Sequence, residues 1–190
     1  LHPLKSIVAP DRAAVEKWDE INKHRKFPAI GSIDAHAHKI SLIGFYNVEV
    51  FPYKVLFKSI RTNVQLDEKL DKDNFAQSSA AILNAIKEGK SYIVNSYYGN
   101  GKGFRFFAEV GDDYYFMGDD IRTNHPSRIV IKCFIPKEAT VKLVKDGVYI
   151  DEIKAAGGIW NCKGYGNYRV ECWLGDKAWI FSNNIRILRK

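Results

Sequence analysis

The chain reads as an α+β protein in which two helices lead into an antiparallel, β-sandwich-like second half. Three observations carry this. Apolar residues recur at helical spacing only in residues 11–26 and 73–88. Nine short runs rich in β-branched and aromatic residues follow Lys90. Those runs are separated by turn sequences such as GNGKG, GDD, KDG and GYGN. A boundary near residue 90 therefore divides residues 1–90 from an all-β domain, 91–190, and neither half contains a repeat or a low-complexity stretch.

The first helix, DRAAVEKWDEINKHRK, starts at Pro10 and Asp11 and carries Ala14, Val15, Trp18 and Ile21 at steps of three and four. Its basic end KHRK suits the negative pole of a helix dipole, and Pro28 stops it. AIGSIDAHA is expected as a strand running into a loop. Residues 44–66 are aromatic and β-branched but interrupted by Pro52, which predicts one or two short strands or an extended crossing. The second helix is expected over residues 73–88, capped by Asp73, with Phe75, Ile82 and Ile86 on one stripe and Gly89 as its left-handed stop. Beyond Lys90 the expected strands are SYIVNSYY, FRFFAEV, YYFMG, RIVIKCFI, TVKLV, VYIDEI, YRVECWL, AWIF and IRIL.

Composition removes several classes of function. With 46% apolar residues the chain can build a packed core, so disorder is excluded. No apolar run approaches the ~20 residues that a spanning helix needs, so no membrane is expected as a partner. The net charge of +7 is split almost evenly, +3 over residues 1–90 and +4 over 91–190, and only the tail RILRK gathers it; a nucleic-acid partner is not expected. Cys133, Cys162 and Cys172 form no CxxC pair, so they read as buried thiols, and the spacing leaves a Cys162–Cys172 bridge open without supporting it. GNGKG lacks the spacing of a phosphate loop and leads into a strand, which makes it a hairpin turn.

The segment GSIDAHAHK holds the one concentration of metal-ligand chemistry. In an extended chain Asp34, His36 and His38 point one way while Ala35 and Ala37 point the other. Carboxylate oxygen and neutral imidazole nitrogen are the usual donors for zinc, manganese or iron. A polar, solvent-facing strand is the plain alternative.

WDEINKHRKFPAIGSIDAHAH resembles the last metal-binding motif of the polymerase and histidinol phosphatase (PHP) domain, in its carbaryl-hydrolase-like branch. The likeness continues through IRTNV, AILNAIKEGKSYIV, VKLVKDGVYI and YRVECWLGDKAWIFSNNIRI, and so covers most of the chain from Trp18 onward. It implies a distorted barrel of alternating strands and helices, two or three divalent ions, phosphoester hydrolysis, and an extra β domain at the C-terminus. On that pattern Asp34 and His36 match the last ligand pair, and the ions would activate a water and screen charge on the phosphoryl oxygens. His38 stands outside the matched pair, as a neighbouring group or an exposed histidine. Arg61, in IRTNV, would lie near the barrel mouth, where its forked guanidinium suits a phosphate oxygen; an ordinary surface arginine is the alternative.

Two departures matter. The family's opening His-x-His motif, bridging Glu and middle histidines are absent, because His2, His24 and His125 sit in no matching motif. Asn184 stands where the family usually has proline.

The expectation is thus the C-terminal portion of a divalent-metal-dependent phosphoesterase, carrying the end of a barrel in residues 1–90 and inactive alone. Its partners would be a small phosphoester substrate and an upstream barrel segment. The first 60 or so residues should be poorly anchored, with Trp18, Ile21 and Ile33 exposed unless another chain covers them. The competing expectation is a β-sandwich binding module for carbohydrate or a protein partner, built on the aromatics of the second half.

Overall fold

A computed structural model describes residues 7–42, 46–50 and 52–190, with 38–42 and 46–50 by their backbone alone. The first helix, α1 (Arg12–His24), begins where Asp11 accepts a hydrogen bond from the Ala14 amide at 2.9 Å, satisfying one of the free N–H groups of the first turn. A hairpin of β1 (His38–Leu42) and β2 (Tyr46–Val50) follows, then a four-residue helix α2 (Tyr53–Leu56) opened by Pro52. The interrupted stretch 44–66 thus yields two strands, β2 and β3 (Ile60–Val64), with a helical turn where Pro52 fixes the backbone. The long second helix, α3 (Phe75–Glu88), is capped by Asn74, one residue after the expected Asp73, and is ended by Gly89 at φ 82°.

The strands of the second half are β4 (Ser91–Asn95), β5 (Arg105–Val110), β6 (Asp113–Phe116), β7 (Asp120–Thr123), β8 (Ile129–Lys145), β9 (Val148–Asn161), β10 (Gly166–Leu174), β11 (Lys177–Ser182) and β12 (Ile185–Arg189). A single turn of 3-10 helix, Pro126–Arg128, precedes β8. With β3 they form one ten-stranded sheet, ordered β3-β4-β11-β10-β8-β5-β6, with β9 on β8, β12 on β10 and β7 on β12. The β-rich, largely antiparallel character agrees with the α+β expectation, but the strands make one continuous sheet curved into half a barrel, not two stacked sheets.

The cause is β8. RIVIKCFI and TVKLV, expected as two strands, run on as a single 17-residue strand whose first part pairs with β5 and whose second part pairs with β10. The ladder to β9 lapses between Phe134 and Ala139, around Pro136, which has no N–H to give it. The buried side of the sheet gathers Phe106, Ile131, Leu143, Val170, Ile180 and Ile187, all fully buried. Each such side chain contributes roughly 1.5–3 kcal/mol through removal from water.

Residues on either side of Lys90 share this sheet: β3 pairs with β4 from Ile60–Asn95 to Val64–Ser91, and α3 forms the connection between them. The expectation that the first 60 or so residues are poorly anchored is corrected for α1 and the segment that follows it as far as Gly31. Trp18 is buried, because Arg169 of β10 lies over its ring at 4.9 Å, and its indole N–H donates to Phe27 O at 2.7 Å. Asn167 on β10 donates to Asn22 O, and Lys26 donates to Gly118 O and pairs with Asp120. No Cys162–Cys172 bridge forms: all three thiols are free and buried. Cys162 bonds to Gly164 O, while hydrogen bonding with Cys133 and burial hold the Cys172 thiol well above its ordinary value.

Candidate functional site

The segment after α1 is fastened to the sheet at two successive alternate residues. The Asn183 side chain accepts from the Ala29 amide at 2.7 Å and donates to its carbonyl at 3.0 Å. Thr62 does the same for Gly31 with a hydroxyl, accepting at 2.9 Å and donating at 3.0 Å. The expected strand at AIGSIDAHA is absent, since these side chains take the place of a ladder partner and residues 26–37 carry no regular structure. Gly31 fits because the Ile93 side chain occupies the space of a β-carbon, 2.3 Å away.

Three residues past this clamp the chain reaches the ligand-type pair. His36 Nε2 and Asp34 Oδ1 stand 3.0 Å apart, and both side chains are well exposed, Asp34 at 96% and His36 at 64%. With donor-to-metal distances of about 2.0–2.1 Å, two neighbouring ligands of one ion are about 2.9–3.4 Å apart. The pair is therefore spaced as two donors to a single cation, and the same spacing makes a hydrogen bond between imidazole and carboxylate. Among the described residues no group of three or more His, Cys, Asp and Glu gathers at one place. The described residues thus supply two donors here, where a closed zinc site takes four.

Of the other residues singled out from the sequence, the side chain of His38 lies outside the described part, as does His2. Arg61 is exposed on β3, beside Thr62; since alternate residues of a strand face opposite ways, Arg61 points away from the face that holds Gly31. His24 contacts Glu20 at 3.3 Å on α1, and His125 is exposed before the 3-10 turn.

A second polar constellation carried no role in the sequence reading. Arg169 is 97% buried on its side chain between two carboxylates, one guanidinium nitrogen donating to Asp19 on α1 and another to Glu171 at 2.6 Å. Tyr149 donates to the far oxygen of Glu171 at 2.8 Å, as does the Trp173 indole at 3.3 Å. Arg169 Nε is without a partner, the one such buried side-chain atom among the described residues. Burial raises the Asp19 carboxyl above its ordinary 3.8, against the pull of Arg169. The Tyr149 hydroxyl is pushed up to about 12 by burial and by the Glu171 charge. A cleft of about 310 Å³ opens beside the cluster, between α1 and β9 to β11. The signal was present in YRVECW: Arg169, Glu171 and Trp173 alternate on one face of a strand that is otherwise apolar.

Comparison with family models, with curated proteins and with solved structures returns no match.

Proposed function

We propose that the chain is the C-terminal portion of a divalent-metal-dependent phosphoesterase of the PHP type. Residues 1–90 would be the end of its barrel, and the β half an accessory domain. The observation that carries the reading is the 3.0 Å approach of Asp34 Oδ1 and His36 Nε2 at an exposed position, together with the motif resemblance around it. Asp34 and His36 would hold one edge of a zinc, manganese or iron centre, and the remaining ligands would come from residues beyond these 190. Bound there, the ions lower the pKa of a coordinated water and offset charge on the phosphoryl oxygens.

The residues of this chain set the pair's position. Asn183 and Thr62 hold the backbone at Ala29 and Gly31, so Asp34 leaves the sheet from a fixed point. The contact between His36 Nε2 and Asp34 Oδ1 keeps the two donor atoms side by side, and a cation bound between them would replace that hydrogen bond.

Two measurements test the proposal. Titration of Mn²⁺ or Zn²⁺ into the chain should show weak binding that Asp34→Ala and His36→Ala abolish. The longer, metal-loaded protein should hydrolyse p-nitrophenyl phosphate and lose that activity on Asp34→Ala. Hydrolysis that survives the substitution would remove Asp34 from the site and sink the assignment.

A further inference from the structure

The outer face of the sheet at β5, β6, β8 and β9 carries a cluster of aromatic rings that the core does not use. Phe107 on β5 lies 5.9 Å from Tyr114 and 5.9 Å from Phe116 on β6, and 6.0 Å from Phe134 on β8. Their inward neighbours Phe106, Ala108, Ile131 and Cys133 are fully buried, so alternation places these rings on the outside. Tyr114 is 59% exposed, Phe134 45%, and Ile159, one strand further on, 64%. A contiguous apolar patch of this kind on a folded surface marks an interaction site.

Its polar surround is as informative as its rings. Lys132 and Glu109 pair at 2.6 Å within the face and cancel each other. At one end of β5 stands Arg105, exposed, and past the other end, in the β5–β6 turn, stands Asp112, also exposed; neither has an ion-pair partner among the described residues. At about 3.3 Å per residue, the ends of β5 are about 17 Å apart. An apolar, aromatic centre with a charged rim is the anatomy of a protein interface. Opposite charges at opposite ends of one face add a further constraint. Turned about a two-fold axis lying in the face across the strands, the face presents its Arg105 end to the Asp112 end of a copy of itself.

We infer that this face joins two copies of the chain in an isologous dimer, ring cluster against ring cluster, with Arg105 of each opposite Asp112 of the other. Nucleic acid fits the same face poorly, because Lys132 is already paired with Glu109 and Asp112 would oppose phosphate. A sugar would take the rings and leave the two end charges unused.

Sedimentation equilibrium of the whole chain tests this, with thermal unfolding as the control for folding. The chain should associate to a dimer as concentration rises, and Tyr114→Ser with Phe134→Ser should leave it monomeric with its fold intact. Arg105→Asp and Asp112→Arg should each weaken the dimer about tenfold, since two-fold symmetry makes every substitution count twice. The double variant Arg105→Asp/Asp112→Arg should recover most of the loss. A chain that stays monomeric at every concentration overturns the inference. So does a dimer indifferent to the ring substitutions, or a double variant as weak as the product of the two single ones.

Discussion

Arg169, in the middle of β10, reaches Asp19 on α1 across 150 positions of sequence, and both side chains are at least nine-tenths buried. The contact ties the first helix to the sheet, and through Asn22, Phe27 and Ala29 it sets the path of the chain toward Asp34. A buried ion pair gains little over an apolar substitute, but removal of one partner strands the other charge in a low-dielectric site. Arg169→Ala leaves two buried carboxylates without their cation and should cost about 3–5 kcal/mol. Asp19→Asn should cost less, since the amide oxygen still accepts and Glu171 still pairs with Arg169 at 2.6 Å. Urea unfolding followed by Trp fluorescence measures both; an equal cost for the two would show that the charge balance is not what holds α1.

The same carboxylate gives the chain an unusual pH response. The folded pKa of Asp19 is raised above its ordinary 3.8 by burial, with Arg169 pulling the other way. The folded state therefore binds this proton more readily than the unfolded one, and the stability it contributes is fully present below 3.8 and lost as pH rises through the folded value. Asp120 behaves oppositely. Its hydrogen bond from Arg186 lowers its pKa, so its contribution is present above 3.8 and lost as pH falls through the folded value. Unfolding free energies measured across the acid range should decline less with rising pH in Asp19→Asn than in the parent, and Asp120→Asn should lose the acid-side fall. Parallel profiles for parent and Asp19→Asn would contradict the assignment.

The clamp on Ala29 and Gly31 predicts a local effect. Thr62→Val keeps the shape of the side chain and removes both hydrogen bonds to Gly31, of 2.9 Å and 3.0 Å. At roughly 0.5–1.5 kcal/mol net per bond, the global cost is about 1–3 kcal/mol. Amide exchange at Gly31 should accelerate while exchange in β8 and β10 stays slow, and the divalent-ion binding proposed for Asp34 and His36 should weaken. Unchanged exchange at Gly31 would mean that Ile93 packing, not Thr62, fixes the segment.

Local signals were legible and long-range ones were not. The helix stop at Gly89, the cap at Asp11 and most strand positions after Lys90 follow from spacing and turn chemistry, which act over a few residues. What the pattern concealed was connectivity. PKEA looks like a loop between strands, yet β8 continues through it because Ile135 just before it and Ala139 at its end are buried. AAGGIWN, which lies outside the expected runs, extends β9. Asp120–Thr123, too polar to register as a run, finds a parallel partner in β12. In the candidate site the sequence pointed to Asp34 and His36 through an expected strand, whereas side chains 62 and 183, far along the chain, hold the backbone before them in its place. Nor does the order of residues reveal that Asp19 and Arg169 meet.

Gly157 is where that hidden connectivity is most exposed to test. It pairs with Phe134 of β8 and has φ 149°, in a region that residues with a β-carbon avoid. A β-carbon there would come 2.2 Å from the Cys133 carbonyl oxygen, a backbone atom that cannot move without breaking the β8 ladders to β5 and β9. Gly157→Ala should therefore cost more than the few tenths of a kcal/mol of an ordinary surface change, about 1–3 kcal/mol for the strained backbone alone. Because Phe134 is the direct ladder partner of Gly157 and the β8–β9 pairing lapses just beyond it, the substitution should also displace its ring from Phe107. Near-ultraviolet circular dichroism and unfolding by urea read the two effects together. A variant as stable as the parent would show that β9 passes β8 less closely here than the ladder requires.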